Sequence, residues 1–172
     1  RQFLGDGNRQ YLTGLFLGGQ RILILVDSST SMLDETLVNI IRTRNMNDER
    51  KRAAPKWQRV IKTVDWVSTQ LPISSQYQLW RFNDSTESLV SDALGEWQEV
   101  ADRDGLNAGV EALNDVVPDR GTNLEQVFAA VAGMQTRPDN IFLITDGLPT
   151  LGSRGKRTGL VTPKEPRRAT AG

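Results

Sequence analysis

The 172-residue chain contains no histidine and no cysteine. Without histidine there is no Ser-His-Asp triad, no imidazole general base and no His-ligated metal. Without cysteine there is no thiol nucleophile, zinc–thiolate site, iron–sulfur cluster or disulfide. Carboxylates, hydroxyls, Lys, Arg and backbone groups are what remain for chemistry. A metal bound by such groups is a hard cation, Mg²⁺, Ca²⁺ or Mn²⁺. No apolar run approaches the ~20 residues of a membrane span, and the first twenty residues hold no charged-then-apolar secretory signal. Lys+Arg and Asp+Glu are 21 each, so no overall field draws the chain to nucleic acid or a membrane. The missing cysteines fit any compartment, which leaves localisation open.

What is present fits one domain of ordinary size. A chain that is 38% hydrophobic and 24% charged has a globular profile, not a disordered or coiled-coil one. Residues 1–20 are Gly-rich and read as a lead-in with room for a short strand. Residues 21–150 read as the domain and 151–172 as a basic, irregular tail. Because the chain starts at Arg1, it is expected to be a fragment or a processed product.

Two unbroken apolar runs stand out, Ile22 to Val26 and Ile141 to Ile144. Such runs suit parallel strands covered on both faces. Tyr77 to Phe82 reads as another strand, joined through the turn Asn83-Asp84-Ser85 to a short one over Glu87 to Val90, as a hairpin. Between the strands lie helical periodicities. Leu33, Leu37, Ile40 and Ile41 predict a short helix, and residues 42–52 a solvated charged connection. Pro55 suits a helix's first turn. Trp57, Val60, Ile61, Val64, Val67 and Leu71 form one apolar stripe, which Pro72 ends. Leu106, Val110, Leu113 and Val117 predict a further helix closed by Pro118, and Leu124, Val127, Phe128 and Val131 another. Helices alternating with buried strands predict an α/β fold: a mostly parallel sheet with helices on both faces and one antiparallel edge strand.

Three polar clusters fall where open α/β sheets bind ligands, outside the carboxyl ends of strands. They are Asp27, Ser29 and Ser31, then Thr122 before a helix, then Asp146 after the later strand. Two carboxylates and three hydroxyls make an all-oxygen donor set for a hard cation. Alternate residues of Asp27-x-Ser29-x-Ser31 can face one ion. Taken singly, such serines are as readily helix caps; it is the coincidence of three strand-end clusters that favours the metal.

The motif ILILVDSSTSM resembles the opening of a von Willebrand factor A domain with its metal-ion-dependent adhesion site. RGTNLEQVF is similar to that family's Gly-Thr-x-Leu segment, and IFLITDGLPT to its strand ending in Thr-Asp-Gly. The motifs occur in the family's order across residues 21–150. The resemblance implies a Rossmann-like sheet with one Mg²⁺ at its top, with Mn²⁺ and Ca²⁺ as alternatives. It implies that Ser29, Ser31 and Thr122 bind the ion through hydroxyls, and Asp27 and Asp146 directly or through water. One coordination position would stay open for an Asp or Glu carboxylate of a partner protein. No nucleic-acid partner is expected.

The chain departs from the family pattern twice. An extra helix and the charged connection stand between Ser31 and Trp57. After Asp146 the family continues with further strands and helices, whereas this tail carries Gly147, Gly152, Gly155, Gly159 and three prolines. The expectation is therefore a truncated domain, with the C-terminal part of the sheet missing and the native polypeptide continuing past Gly172. Competing functions are an integrator subunit of an AAA+ machine of the chelatase or MoxR type, and a metal-dependent hydrolase or phosphatase. Ser at position 29 weighs against the hydrolase, which would want an aspartate nucleophile or a second carboxylate there. The site also lacks a general base, so the chain is expected not to be an enzyme.

Other residues carry simpler readings. Asp34 and Glu35 are spaced like an acidic pair that forms an adjacent calcium site in integrin β-type A domains, but acids near a helix N-terminus also favour its dipole. Trp57 and Trp66 read as core and edge packing rather than a binding platform. The tail holds six basic residues against one acid, Glu165, and reads as a solvated connection.

Overall fold

The computed structural model describes residues 18–146. The expected strand in the lead-in and the basic tail from 147 onward lie outside the described residues. Within them, the chain forms a mixed, mostly parallel sheet flanked by helices. The order of elements is β1 (Arg21–Asp27), a 3₁₀ turn (Thr30–Leu33), α1 (Leu37–Arg44), α2 (Asp48–Arg52), α3 (Pro55–Gln70), β2 (Gln76–Phe82), β3 (Thr86–Ser88), β4 (Gln98–Glu99), α4 (Arg103–Ala112), α5 (Leu124–Ala132) and β5 (Asn140–Ile144).

The strand order is β3-β2-β1-β5. β1 is parallel to β2 from Arg21↔Gln76 to Asp27↔Phe82, and parallel to β5 from Ile22↔Asn140 to Val26↔Ile144. β1 occupies one edge of β2 along its whole length, so the antiparallel partners share the other edge. There the expected hairpin strand, β3, pairs with the carboxyl end of β2, and a second short strand, β4, pairs with its amino end. The two-residue β4 is too short to leave a periodic signal, which is why the sequence suggests one antiparallel edge strand where two stand.

The alternation of a strand's side chains divides the core. Ile22, Ile24 and Val26 face α3 and α4 through Trp57, Ile61, Val64, Leu106 and Val110. Leu23 and Leu25 face α5 with Trp80, Phe82, Val127 and Val131. All five apolar residues of β1 are fully buried, each worth roughly 1.5–3 kcal/mol against exposure. Of the α3 stripe, Trp57, Ile61, Val64, Val67 and Leu71 are buried and Val60 is partly buried at its edge, while Trp66 lies exposed on the opposite side.

The segment between β1 and α3 departs from its expected form. Leu33 ends the 3₁₀ turn and is buried, but Asp34 is extended. That break decouples Leu33 from the helix that follows, and no residue of α1 is buried. Residues 42–52 are solvated but also partly helical. Asn47 Oδ1 caps α2 by accepting from Arg50 N at 3.1 Å. Asp48 and Glu49 in its first turn and Arg50 to Arg52 in its last match the helix dipole.

From β1 the chain moves through α3 to β2 on one side, then crosses by α4 and α5 to β5 on the other. The direction of winding thus reverses at β1, and the ends of β1 and β5 frame the crevice where such sheets bind ligands.

Candidate metal centre

β1 delivers Asp27 to the top of the sheet, fully buried, and Ser28 and Ser29 are buried behind it. Asp27 Oδ1 accepts from Ser29 N at 2.9 Å, which curls the loop so that Ser29 and Ser31 face the same way. Their hydroxyl oxygens are 2.8 Å apart. Thr122, also buried, donates to Ser29 Oγ at 2.8 Å and lies 3.4 Å from Asp27 Oδ2. Four of the five residues expected at the site are therefore in one hydrogen-bonded cluster.

Backbone stitching explains how Thr122 arrives from so far along the chain. Asp119 N donates to Ser28 O at 3.0 Å, and Thr30 N to Arg120 O at 3.0 Å. The Thr30 hydroxyl also donates to Arg120 O. Arg120 has a positive φ of 64°, a conformation costly for a residue with a side chain. It turns the chain just before Thr122. Asn83 braces the same loop, its Nδ2 donating to Asp119 O at 3.2 Å and its backbone O accepting from Asn123 N at 2.8 Å.

Asp146, the fifth residue, follows β5 across the crevice from Asp27. Its Oδ2 accepts from Lys56 Nζ at 3.1 Å. Its neighbour Thr145 joins the cluster instead, donating to Asp27 Oδ2 at 2.8 Å. Thr145 and Lys56 both escape a sequence reading focused on alternate oxygen donors. Lys56 sits one residue into α3 and looks like an ordinary solvated helix charge; the contrary signal is a cation at a helix N-terminus, where the dipole disfavours it.

Burial pushes the Asp27 carboxyl above its ordinary range, and the nearby Asp146 charge adds to that. The hydrogen bonds from Ser29 and Thr145 oppose the rise without cancelling it. Among the described residues no Lys or Arg forms an ion pair with Asp27. A buried carboxylate without a cation is a costly feature.

The donor set suits a small hard cation. Neighbouring oxygens around an octahedral Mg²⁺ with ~2.1 Å bonds are about 3 Å apart. The Ser29–Ser31 and Ser29–Thr122 oxygens, at 2.8 Å, already have nearly that spacing. Asp27, Ser29, Ser31 and Thr122 could hold such an ion with little backbone movement. Among the described residues there is no cluster of three or more Asp, Glu, His or Cys; this site is built on hydroxyls.

The acidic pair beside the site has other partners. Asp34 Oδ1 accepts from Thr36 N at 3.1 Å and Asn39 Nδ2 at 3.3 Å. The bond from Thr36 N is the main cause holding its carboxyl below the ordinary range. Glu35 pairs with Arg59 at 2.5 Å. Both are used locally, at the start of α1 and on the flank of α3.

Compared with protein-family models and with curated proteins, the chain matches none.

Proposed function

We propose that the chain is a divalent-cation-dependent protein-binding module of the von Willebrand factor A type. In this reading Asp27, Ser29, Ser31 and Thr122 hold Mg²⁺, with Mn²⁺ or Ca²⁺ as substitutes, and Asp146 contributes from across the crevice. The ion presents an open position to an Asp or Glu carboxylate of a partner protein. The observation that carries the reading is a buried carboxylate, Asp27, that has no cationic partner among the described residues and sits in one cluster with the hydroxyls of Ser29, Ser31, Thr122 and Thr145 at the point where the sheet reverses its winding. The ion supplies the missing positive charge. Two carboxylates leave a divalent ion nearly neutralised, so a third from a partner adds a charge-assisted contact that ordinary surface residues do not offer. A role within an AAA+ machine would use the same site.

Calorimetry tests the ion. Mg²⁺ or Mn²⁺ should bind weakly to the wild-type chain, because waters fill much of the shell. Asp27→Ala and Thr122→Ala should each weaken binding at least tenfold. Equal Mn²⁺ affinity in wild type and Asp27→Ala would refute the assignment. A pull-down from the native source tests the partner: proteins retained in Mg²⁺ should be released by EDTA, and retention unaffected by chelator would refute the second half of the reading.

A further inference from the structure

Among the described residues Lys56 is the one cation that touches the site, and its geometry is unusual for a residue in a helix's first turn. Pro55 opens α3, so Lys56 stands where the helix dipole disfavours positive charge. Its ammonium is nevertheless largely buried, with the side chain 15% exposed. Nζ donates to Ser31 O at 2.9 Å, Asp34 O at 3.2 Å and Asp146 Oδ2 at 3.1 Å. Three donors meet three oxygens, which exhausts an ammonium's capacity. Glu35 Oε2 lies further out at 3.7 Å. Lys56 therefore occupies an oxygen cage of its own, and two residues of that cage, Ser31 and Asp146, belong to the candidate metal centre.

We propose that Lys56 is a resident cation that competes with the divalent metal for Asp146, so that metal binding and release of the lysine are coupled. The inference rests on the metal-site reading above. One carboxylate oxygen of Asp146 is committed to Lys56, and a divalent ion drawing on that carboxylate must share or break the ion pair. The lysine's charge also repels an incoming ion through a partly desolvated path, where Coulomb terms are larger than in water. Both effects lower the metal affinity of the unpartnered chain. Beside the lysine lies a depression of about 210 Å³ whose walls include Met32, Arg59, Val60 and Thr63. It gives the released side chain room to swing without disturbing the core.

Titration with Mn²⁺ alone on the full chain decides the point. Lys56→Met should bind Mn²⁺ at least fivefold more tightly than wild type, while Lys56→Arg, which keeps the charge, should not gain. A lysine that only braced the Ser31–Asp34 loop would produce the opposite result, since losing the brace would weaken the site. Equal or weaker binding by Lys56→Met overturns the proposal while leaving the metal site standing. Absence of Mn²⁺ binding in wild type and variant alike overturns both. A second measurement needs no altered lysine. Acylation of Lys56, followed by mass spectrometry in the wild-type chain, should quicken when Mg²⁺ is added, and Asp27→Ala should show no such change. A rate indifferent to Mg²⁺ in a chain that binds it would show that the lysine never leaves its cage, and would overturn the proposal.

Discussion

Leu25 and Leu143 are neighbours. They pair in register across β1 and β5 and lie on the same face of the sheet, in runs that look alike in the sequence. Yet Leu25 is fully buried and Leu143 is 38% exposed. The pair at the other position repeats the contrast: Leu23 is fully buried, while Ile141 is 40% exposed. The difference arises from α5, which packs against Leu23, Leu25, Trp80 and Phe82, so its cover is centred on β1 and β2. On the opposite face Phe142 and Ile144 do join the core under α3. An apolar run therefore specifies a strand and one covered face. Whether the second face is covered depends on where the strand falls in the sheet order.

The largest effect that sharpens this contrast is expected at the buried member. Leu25→Ala leaves a cavity between β1 and α5 that close-packed neighbours fill only partly, and should cost about 2–5 kcal/mol. Urea unfolding followed by far-UV circular dichroism measures it. A cost under about 1 kcal/mol would mean that α5 packs loosely, and the contrast between the two strands would fail.

The ends of the same strands differ as well. Among the described residues Asp27 at the end of β1 is buried and bonded by backbone and hydroxyl donors, whereas Asp146 at the end of β5 has a lysine. For Asp27 the folded pKa lies above the ordinary 3.8, so the folded chain holds this proton more tightly than the unfolded chain does. The stability linked to this group is fully present below 3.8 and is lost as pH rises through the folded value. In EDTA, Asp27→Asn should therefore be more stable than wild type at neutral pH by roughly 0.5–2 kcal/mol, as is common where function strains a site. The advantage should shrink as pH falls through that window. Asn keeps an acceptor for Ser29 N, and the Thr122 and Thr145 hydroxyls can turn to accept from its amide. An Asn variant less stable than wild type at pH 7 would mean that the charge is well compensated. It would remove the main argument for a missing cation.

Much of this was legible in the sequence because the strongest signals are periodic. The α3 stripe, the β1 run and the Asn83 turn each follow from spacing and turn chemistry, and the structure places them as read. The convergence of Asp27, Ser29, Ser31 and Thr122 was legible because strand ends in α/β sheets face one crevice. Other features depend on contacts distant in sequence. Lys56 reaches Asp146 across 90 positions, and no local pattern marks it. Leu37 and Ile41 were misleading for the reverse reason. Their helical spacing is real, but the extended Asp34 detaches α1 from the core, so both remain exposed. Metal occupancy and partner choice are properties of an ion's shell and of another chain's surface, so they call for the experiments above.

The smallest expected effect falls on the exposed member of the opening pair. Leu143→Thr removes apolar surface from a position that already meets solvent, so little burial is lost. Thr is β-branched, favours extended backbone and keeps a methyl group against its neighbours. Its hydroxyl can reach water, so no buried polar group is created. The stability change should stay within about 0.5 kcal/mol, the range of ordinary surface substitutions. The β1–β5 ladder should remain intact, because its hydrogen bonds are made by backbone. The same unfolding experiment used for Leu25→Ala measures the difference directly. A loss approaching that of Leu25→Ala would show that the outer face of β5 is covered in solution, and the two strands would then be alike after all.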